Sequence, residues 1–328
     1  MKFPQPISYT RLYRGPMILL LAIIVLPLLA RGQYSYLLPL AQLCGIWAIV
    51  VLGLTLLMGF TGQVSLGHAG WFALGAYGAG VASSAYHVSL WPAMFIGIAA
   101  GGLLAFIAGV SILRLKGHHL ALATLCIGVI IYEVITKMEI TGGAAGLNDL
   151  PQLHFFGDSD LSKVYLIWFI VLLVMIWATH LTESPAGRAL RAIHGDEDAA
   201  ESLGISVFSV KVKVFVASGI LASLAGVLYA FVYTPSYLGP EPFTLIFSVL
   251  LVTMVVIGGM GNIWGALAGA AVLTGMNEVI RLVGERLGST QMSKYEELIS
   301  GLILVLIMIF SNDGLIPGLR RIFQRKRS

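Results

Sequence analysis

Leu37–Met58 reads LLPLAQLCGIWAIVVLGLTLLM, 22 residues without one charge. A hydrocarbon layer of roughly 30 Å is crossed by about 20 apolar residues in a helix. In lipid every backbone N–H and C=O must be satisfied internally, which leaves helices and closed barrels. The run does not alternate apolar with polar, so it is a helix and not a barrel strand.

Working outward, comparable runs fill most of the chain: Met17–Ala30 before it, then a glycine-rich third span to about Tyr86, Trp91–Leu113, Leu120–Thr136, and spans near 164–181, 214–233, 243–259, 264–280 and 298–311. Of the 328 residues, 58% are hydrophobic and 11% charged, with a mean hydropathy of +0.90. A soluble domain carries about 25% charged residues. The expectation is an all-α polytopic membrane protein of about ten transmembrane helices, one domain over residues 1–328. Lys2, Arg11 and Arg14 precede the first run as in a signal peptide, but Leu28 and Ala30 do not form a small-x-small cleavage site, so this helix is expected to be retained. Cys44 and Cys126 both fall in apolar spans and read as packing residues.

Cytoplasmic loops carry the excess of Lys and Arg. With ten spans and the N-terminus inside, 14 of the 20 basic residues lie inside and 6 outside. Both termini are therefore expected in the cytoplasm. The net charge of +4 is a topology signal and not a nucleic-acid footprint. The terminal Arg320-Arg321 and Arg325-Lys326-Arg327 read as an anchor on anionic lipid.

The same count puts a polar island, residues 183–206, in the cytoplasm. It reads ESPAGRALRAIHGDEDAAESLGIS and holds four of the sixteen acids within Asp196–Glu201. Ser184 then Pro185 is a helix start, with a hydroxyl to cap free amides and a ring preset for the first turn. Gly195 breaks the run. Asp196 supplies a second N-cap, Glu197 and Asp198 face the positive helix end, and Gly204 suits a left-handed C-terminal cap. Ala199, Ala200 and Leu203 give the second helix a small apolar face. So short a helix is marginal alone in water and needs a surface, its own bundle or a partner.

Between Gly59 and Gly80, seven of 22 residues are glycine. Small residues let membrane helices approach closely, and non-helical backbone around Gly59–Gly70 would have to be buried or line a cavity. Gly258, Gly259, Gly261 and Asn262 echo Gly59, Gly62 and Gln63. Either these segments pack helices tightly, or interrupted helices here line a pathway through Gly62, Gln63, Gly67, His68, Gly261 and Asn262. His68 is ionisable within an apolar setting, which makes it functional or a hydrogen-bonded structural residue. His118 and His119 read as interfacial. No histidine spacing assembles a metal site, no catalytic constellation is present, and no cofactor is expected. There is no G-x-x-x-x-G-K-[ST] phosphate loop, so energy for active transport would come from another chain. Residues Lys137–Lys163 would face outward as a docking surface or a connector, and Arg281–Glu297 as a surface helix.

In order and spacing, several pieces resemble the high-affinity branched-chain amino acid permeases of ABC importers, the LivM type. They are Gly53-Leu54 with Gly59 to Ala69, Arg114-Leu115-Lys116-Gly117, Thr141-Gly142-Gly143 with Gly146-Leu147, the island, Ser236 with Glu241-Pro242-Phe243, Gly258 to Asn262, and Asp313 to Pro317. His194-Gly195 departs from that pattern, and Val129 stands where relatives often carry Glu, with Glu133 one turn on. The resemblance implies a non-catalytic subunit of the bacterial plasma (inner) membrane. Its partners would be a second permease chain of the LivH type, two ATP-binding subunits and a periplasmic amino-acid-binding protein. The island would be the coupling loop, through Arg188, Arg191, Asp196, Glu197, Ala199, Ala200 and Gly204. Related permeases carry urea, amides or other amino acids. A stand-alone channel or secondary transporter is the other class, opposed by the scarcity of acids within the spans.

Overall fold

The computed structural model describes residues 19–20, 36–151, 153, 160–234, 237–286 and 301. Apart from residues 19–20 and 301, the first and tenth spans lie outside the described residues, as do both termini, Ser236, the segment 287–297 and the motif at 313–317. Six described helices are long and apolar enough to cross a membrane.

These are α1 (Leu37–Thr61), α3 (Leu90–Ile112), α4 (His118–Lys137), α5 (Asp160–Glu183), α8 (Val207–Leu228, continued by a π turn over Tyr229–Tyr233) and α10 (Ile263–Arg286). Between them come α2 (His68–Ser84), the short apolar α9 (Leu245–Gly258) and the island helices α6 (Pro185–Gly195) and α7 (Glu197–Ser202). The third span is thus a 17-residue helix. Each described span falls within a few residues of its expected place. The largest differences are at α8 and at α10, which runs six residues past 280, with a smaller one at α5. Helix α5 takes in Lys163, expected in a loop. Helix α8 starts seven residues before 214 because Lys211 and Lys213 stay helical beyond the apolar stretch.

Helix α1 is the axis, buried along most of its length. Glycine, alanine and serine meet inside, while Phe95, Leu103, Phe106, Ile130, Phe169 and Ile246 cover the outside. Apolar exposure is not penalised in lipid, and small interior residues let backbones touch. A Cβ on Gly75 of α2 would lie 2.1 Å from the carbonyl oxygen of Ser223 in α8, and one on Gly226 of α8 would lie 2.0 Å from the Phe72 carbonyl. Ser223 Oγ sits 3.0 Å from the Trp71 carbonyl and 2.9 Å from that of Gly219. Helices α2, α3 and α8 therefore form one tightly packed trio.

The connections sort to two ends. At one end lie the turn 62–67, the Arg114–Gly117 corner, the island and the Gly259–Asn262 turn. At the other, Leu147 and Leu238 exchange backbone hydrogen bonds of 3.0 and 2.9 Å, next to two short 3-10 turns, Glu139–Thr141 and Gly143–Ala145. A Cβ on Gly146 would strike the Leu238 carbonyl oxygen at 2.4 Å, so the expected bend there is also a contact.

Candidate functional site

The island forms as its residues dictate. Ser184 Oγ accepts from the amides of Ala186 and Gly187 at 3.1 and 3.4 Å. Asp196 Oδ1 accepts from Asp198 and Ala199 at 2.9 and 3.0 Å. At the end of α7, Gly204 adopts φ +83. Its amide donates to Glu201 O at 2.9 Å and that of Ile205 to Ala200 O at 3.1 Å, the paired bonds of a Schellman cap.

Leu190 and Ile193 of α6 turn into the bundle, as does Ala200 of α7. The island is pinned by charge as well. Lys211, buried near the start of α8, ion-pairs with Glu197. Arg191 Nη1 donates to the Thr182 carbonyl at 2.8 Å, closing the end of α5. Lys116 reaches Asp198 at 3.6 Å, and Arg114 lies 6.0 Å from the Phe208 ring centre. The island, the 114–117 corner and the start of α8 are one assembly. Of the seven coupling candidates, Arg191, Glu197 and Ala200 thus hold the island to its own chain, while Asp196 caps α7 within it. Arg188, Ala199 and Gly204 face outward. So does Leu203, 79% exposed at the tip. The pairing of Glu197 with Lys211 had no spacing signal, since 14 residues separate them; a lysine between Val210 and Val212 was the one hint.

Beside the island lies the interrupted segment. Helix α1 ends at Thr61, Gly62 turns with φ +71, and residues 62–67 are non-helical before α2 begins at His68. His68 Nδ1 lies 2.8 Å from Ser65 Oγ and its Nε2 2.7 Å from Ser218 Oγ. The amides of Leu66 and Ala69 donate to Thr124 Oγ1 and Ser248 Oγ at 3.1 and 3.0 Å. Thus His68 and the turn before it tie α2 to α4, α8 and α9. A Cβ on Gly67 would meet the Thr124 carbonyl oxygen at 2.0 Å. Gln63 is buried with both amide atoms unpartnered among the described residues. The two echoing glycine segments meet: a Cβ on Gly59 would lie 2.3 Å from Gly261 N. Asn262 Oδ1 caps the start of α10 by accepting from Trp264 N at 3.0 Å. Gly62 packs on His194, whose Nδ1 would stand 3.1 Å from an added Cβ, so the bend at His194-Gly195 rests on the interrupted segment. Glu133, one turn past Val129, is exposed on α4 and pairs with Lys137 at 2.8 Å.

His68→Ala strips partners from two buried hydroxyls and opens a void. A buried orphaned polar group costs about 1–3 kcal/mol, so a lower midpoint of thermal unfolding in detergent is expected, with smaller loss in His68→Gln.

Residues 36–308 match the family described as branched-chain amino acid transport system / permease component. The chain belongs to this permease family. The high-affinity branched-chain amino acid transport system permease protein LivM of Escherichia coli K12 is 30% identical over 310 residues, 86% of this chain and 70% of that protein. The probable LivM of Methanocaldococcus jannaschii is 23% identical, covering 68% of each. The family's spread shows in the L-arabinose permease AraH of Escherichia coli K12, 27% identical over 79% of this chain and 81% of that one. A solved structure described as an inward-facing conformation of a putative metal-chelate type ABC transporter superposes with a TM-score of 0.51. It is 18% identical and covers 92% of this chain and 99% of that one. At that identity the likeness shows the fold alone.

Proposed function

We propose that this chain is the membrane permease subunit of an ABC importer for branched-chain, hydrophobic amino acids. The carrying observation is the island, two capped helices fixed to the bundle by Glu197–Lys211 and Arg191–Thr182 and ending on the outward Leu203. A rigid element with an exposed apolar tip can transmit force from a partner, and this sequence has no phosphate loop of its own. Arg188, Ala199, Leu203 and Gly204 meet an ATP-binding subunit, while Arg191, Asp196, Glu197 and Ala200 hold the lever. Two such subunits, a second permease chain of the LivH type and a periplasmic binding protein complete the importer. ATP is hydrolysed in the partners.

The family membership and the LivM relatives support the substrate class. In this reading all 328 residues form one multi-pass permease domain of ten spans in the bacterial inner membrane. The island and both termini are cytoplasmic, and the far end around Leu147–Leu238 faces the binding protein. Gly62, Gln63, Gly67, His68, Gly261 and Asn262 frame the cytoplasmic mouth of the path. The buried Gln63, Gly67 and His68 sit where α1 and α2 meet the neighbouring spans.

Reconstitution tests this. Proteoliposomes holding this chain, its permease partner and the ATPases should take up leucine only with ATP and binding protein. Leucine uptake by this chain alone would refute the importer. Uptake of urea or arabinose in place of leucine would overturn the substrate.

A further inference from the structure

Among the described residues, a cavity of about 250 Å³ opens at the end away from the island, between α1, α2, α9 and the π turn of α8. Trp47, Phe72, Tyr229, Tyr233 and Phe247 wall it, and Glu241 stands at its mouth. The rings form a continuous lining. Phe72 lies 5.4 Å from both Tyr229 and Phe247, and Trp47 lies 5.8 Å from Phe247.

The π turn sets two of these rings. The amide of Thr234 donates to Tyr229 O, five residues back, at 3.0 Å. Tyr229 and Tyr233 then stack at 5.3 Å and 29°. Such widened turns recur at functional sites. The carboxylate of Glu241 lies in a notch left by a glycine, since a Cβ on Gly239 would stand 2.2 Å from its Oε2.

Among the described residues, Glu241 is the one lining residue with a formal charge, and no ion pair engages it. Aromatic faces and a carboxylate both attract a cation, while no Lys or Arg among the described residues lines the cavity to offset an anion's charge. At about 30 Å³ per water-sized unit, the space takes a solute on the order of eight heavy atoms. We infer that this cavity binds a small organic ammonium with a branched apolar tail, the amino end and side chain of an amino acid on its way through the permease. This rests on the amino acid reading above and names its site on the side where cargo would arrive. The ammonium sits between Glu241 and the tyrosine faces, the tail lies against Leu43 and Leu250, and the carboxylate points out of the mouth.

The full-length chain in lipid nanodiscs tests it by tryptophan fluorescence, with two half-molecules of leucine as probes. 3-Methylbutylamine keeps the ammonium and tail; 4-methylpentanoate keeps the tail and carboxylate. The amine should alter the emission saturably and the acid should not. The signal should vanish in Trp47→Phe. Amine affinity should fall about tenfold in Glu241→Gln and fall again in Gly239→Ala, which displaces the carboxylate. Equal binding of acid and amine, unchanged affinity in Glu241→Gln, or a signal that survives Trp47→Phe would overturn the site. These probes need neither ATPase nor binding protein. An assembled importer that ignores leucine while the nanodisc signal persists would count against the substrate reading and not against the cavity.

Discussion

Gly75→Leu yields no stably folded permease. A Cβ alone would stand 2.1, 2.5 and 2.6 Å from the carbonyl oxygen, Cα and carbonyl carbon of Ser223, all backbone of α8 that no rotamer change can clear. The pair cannot simply slide apart, because Gly75 is held on its other side as well: a Cβ on Gly97 of α3 would meet the Gly75 carbonyl at 2.5 Å. Overpacking a fitted interior typically costs about 1–3 kcal/mol. Here it is added to the loss of every close contact along α2 and α8, so the total exceeds that range. Size-exclusion chromatography of detergent extracts should show aggregate where the wild type gives one symmetric peak. A contrast isolates the cause. Among the described residues nothing lies within 4 Å of a Cβ added to Gly275 of α10, and Ala is favoured over Gly within a helix by about 1 kcal/mol, so Gly275→Ala should be at least as stable as wild type. A normal peak for Gly75→Leu would mean that α2 and α8 are not backbone-to-backbone.

Gly204→Val should leave the permease folded and inserted yet abolish substrate-stimulated ATPase activity and uptake. Among the described residues nothing lies within 4 Å of a Cβ added to Gly204, so no clash arises with them. The conflict is conformational: φ is +83, and a β-branched residue held there costs on the order of 1–3 kcal/mol. A six-residue helix cannot absorb that, so the Schellman cap opens and Leu203 leaves its position. Asn tolerates left-handed backbone far better, so Gly204→Asn should keep most uptake. The two substitutions differ in backbone demand more than in surface chemistry, which makes the comparison specific. Normal uptake by Gly204→Val would remove the island from the coupling route.

The sequence by itself determined the class of protein and where its long apolar helices lie. Apolar runs such as Leu37–Met58 have one stable form in lipid, because an unbonded backbone group has no water to turn to. The caps at Ser184, Asp196 and Gly204 were equally legible, since each satisfies its backbone groups within a few residues. What only the tertiary structure decided lies in contacts between distant segments. Local pattern does not say that Glu197 meets Lys211, that Arg191 closes α5, or that Ala200 turns inward while Leu203 stays out. It offers two readings of His68, and the partners Ser65 and Ser218, the latter 150 residues away, show a ring bonded on both sides. Tyr229, Tyr233 and Glu241 pass in sequence for parts of a span and a loop. They become a cavity because a π turn rotates one helix end toward Trp47 and Phe72, brought there by the packing of α1 and α2. Local energetics fix helices and caps; which faces meet is settled by glycine-sized gaps that can be measured only once the helices stand side by side.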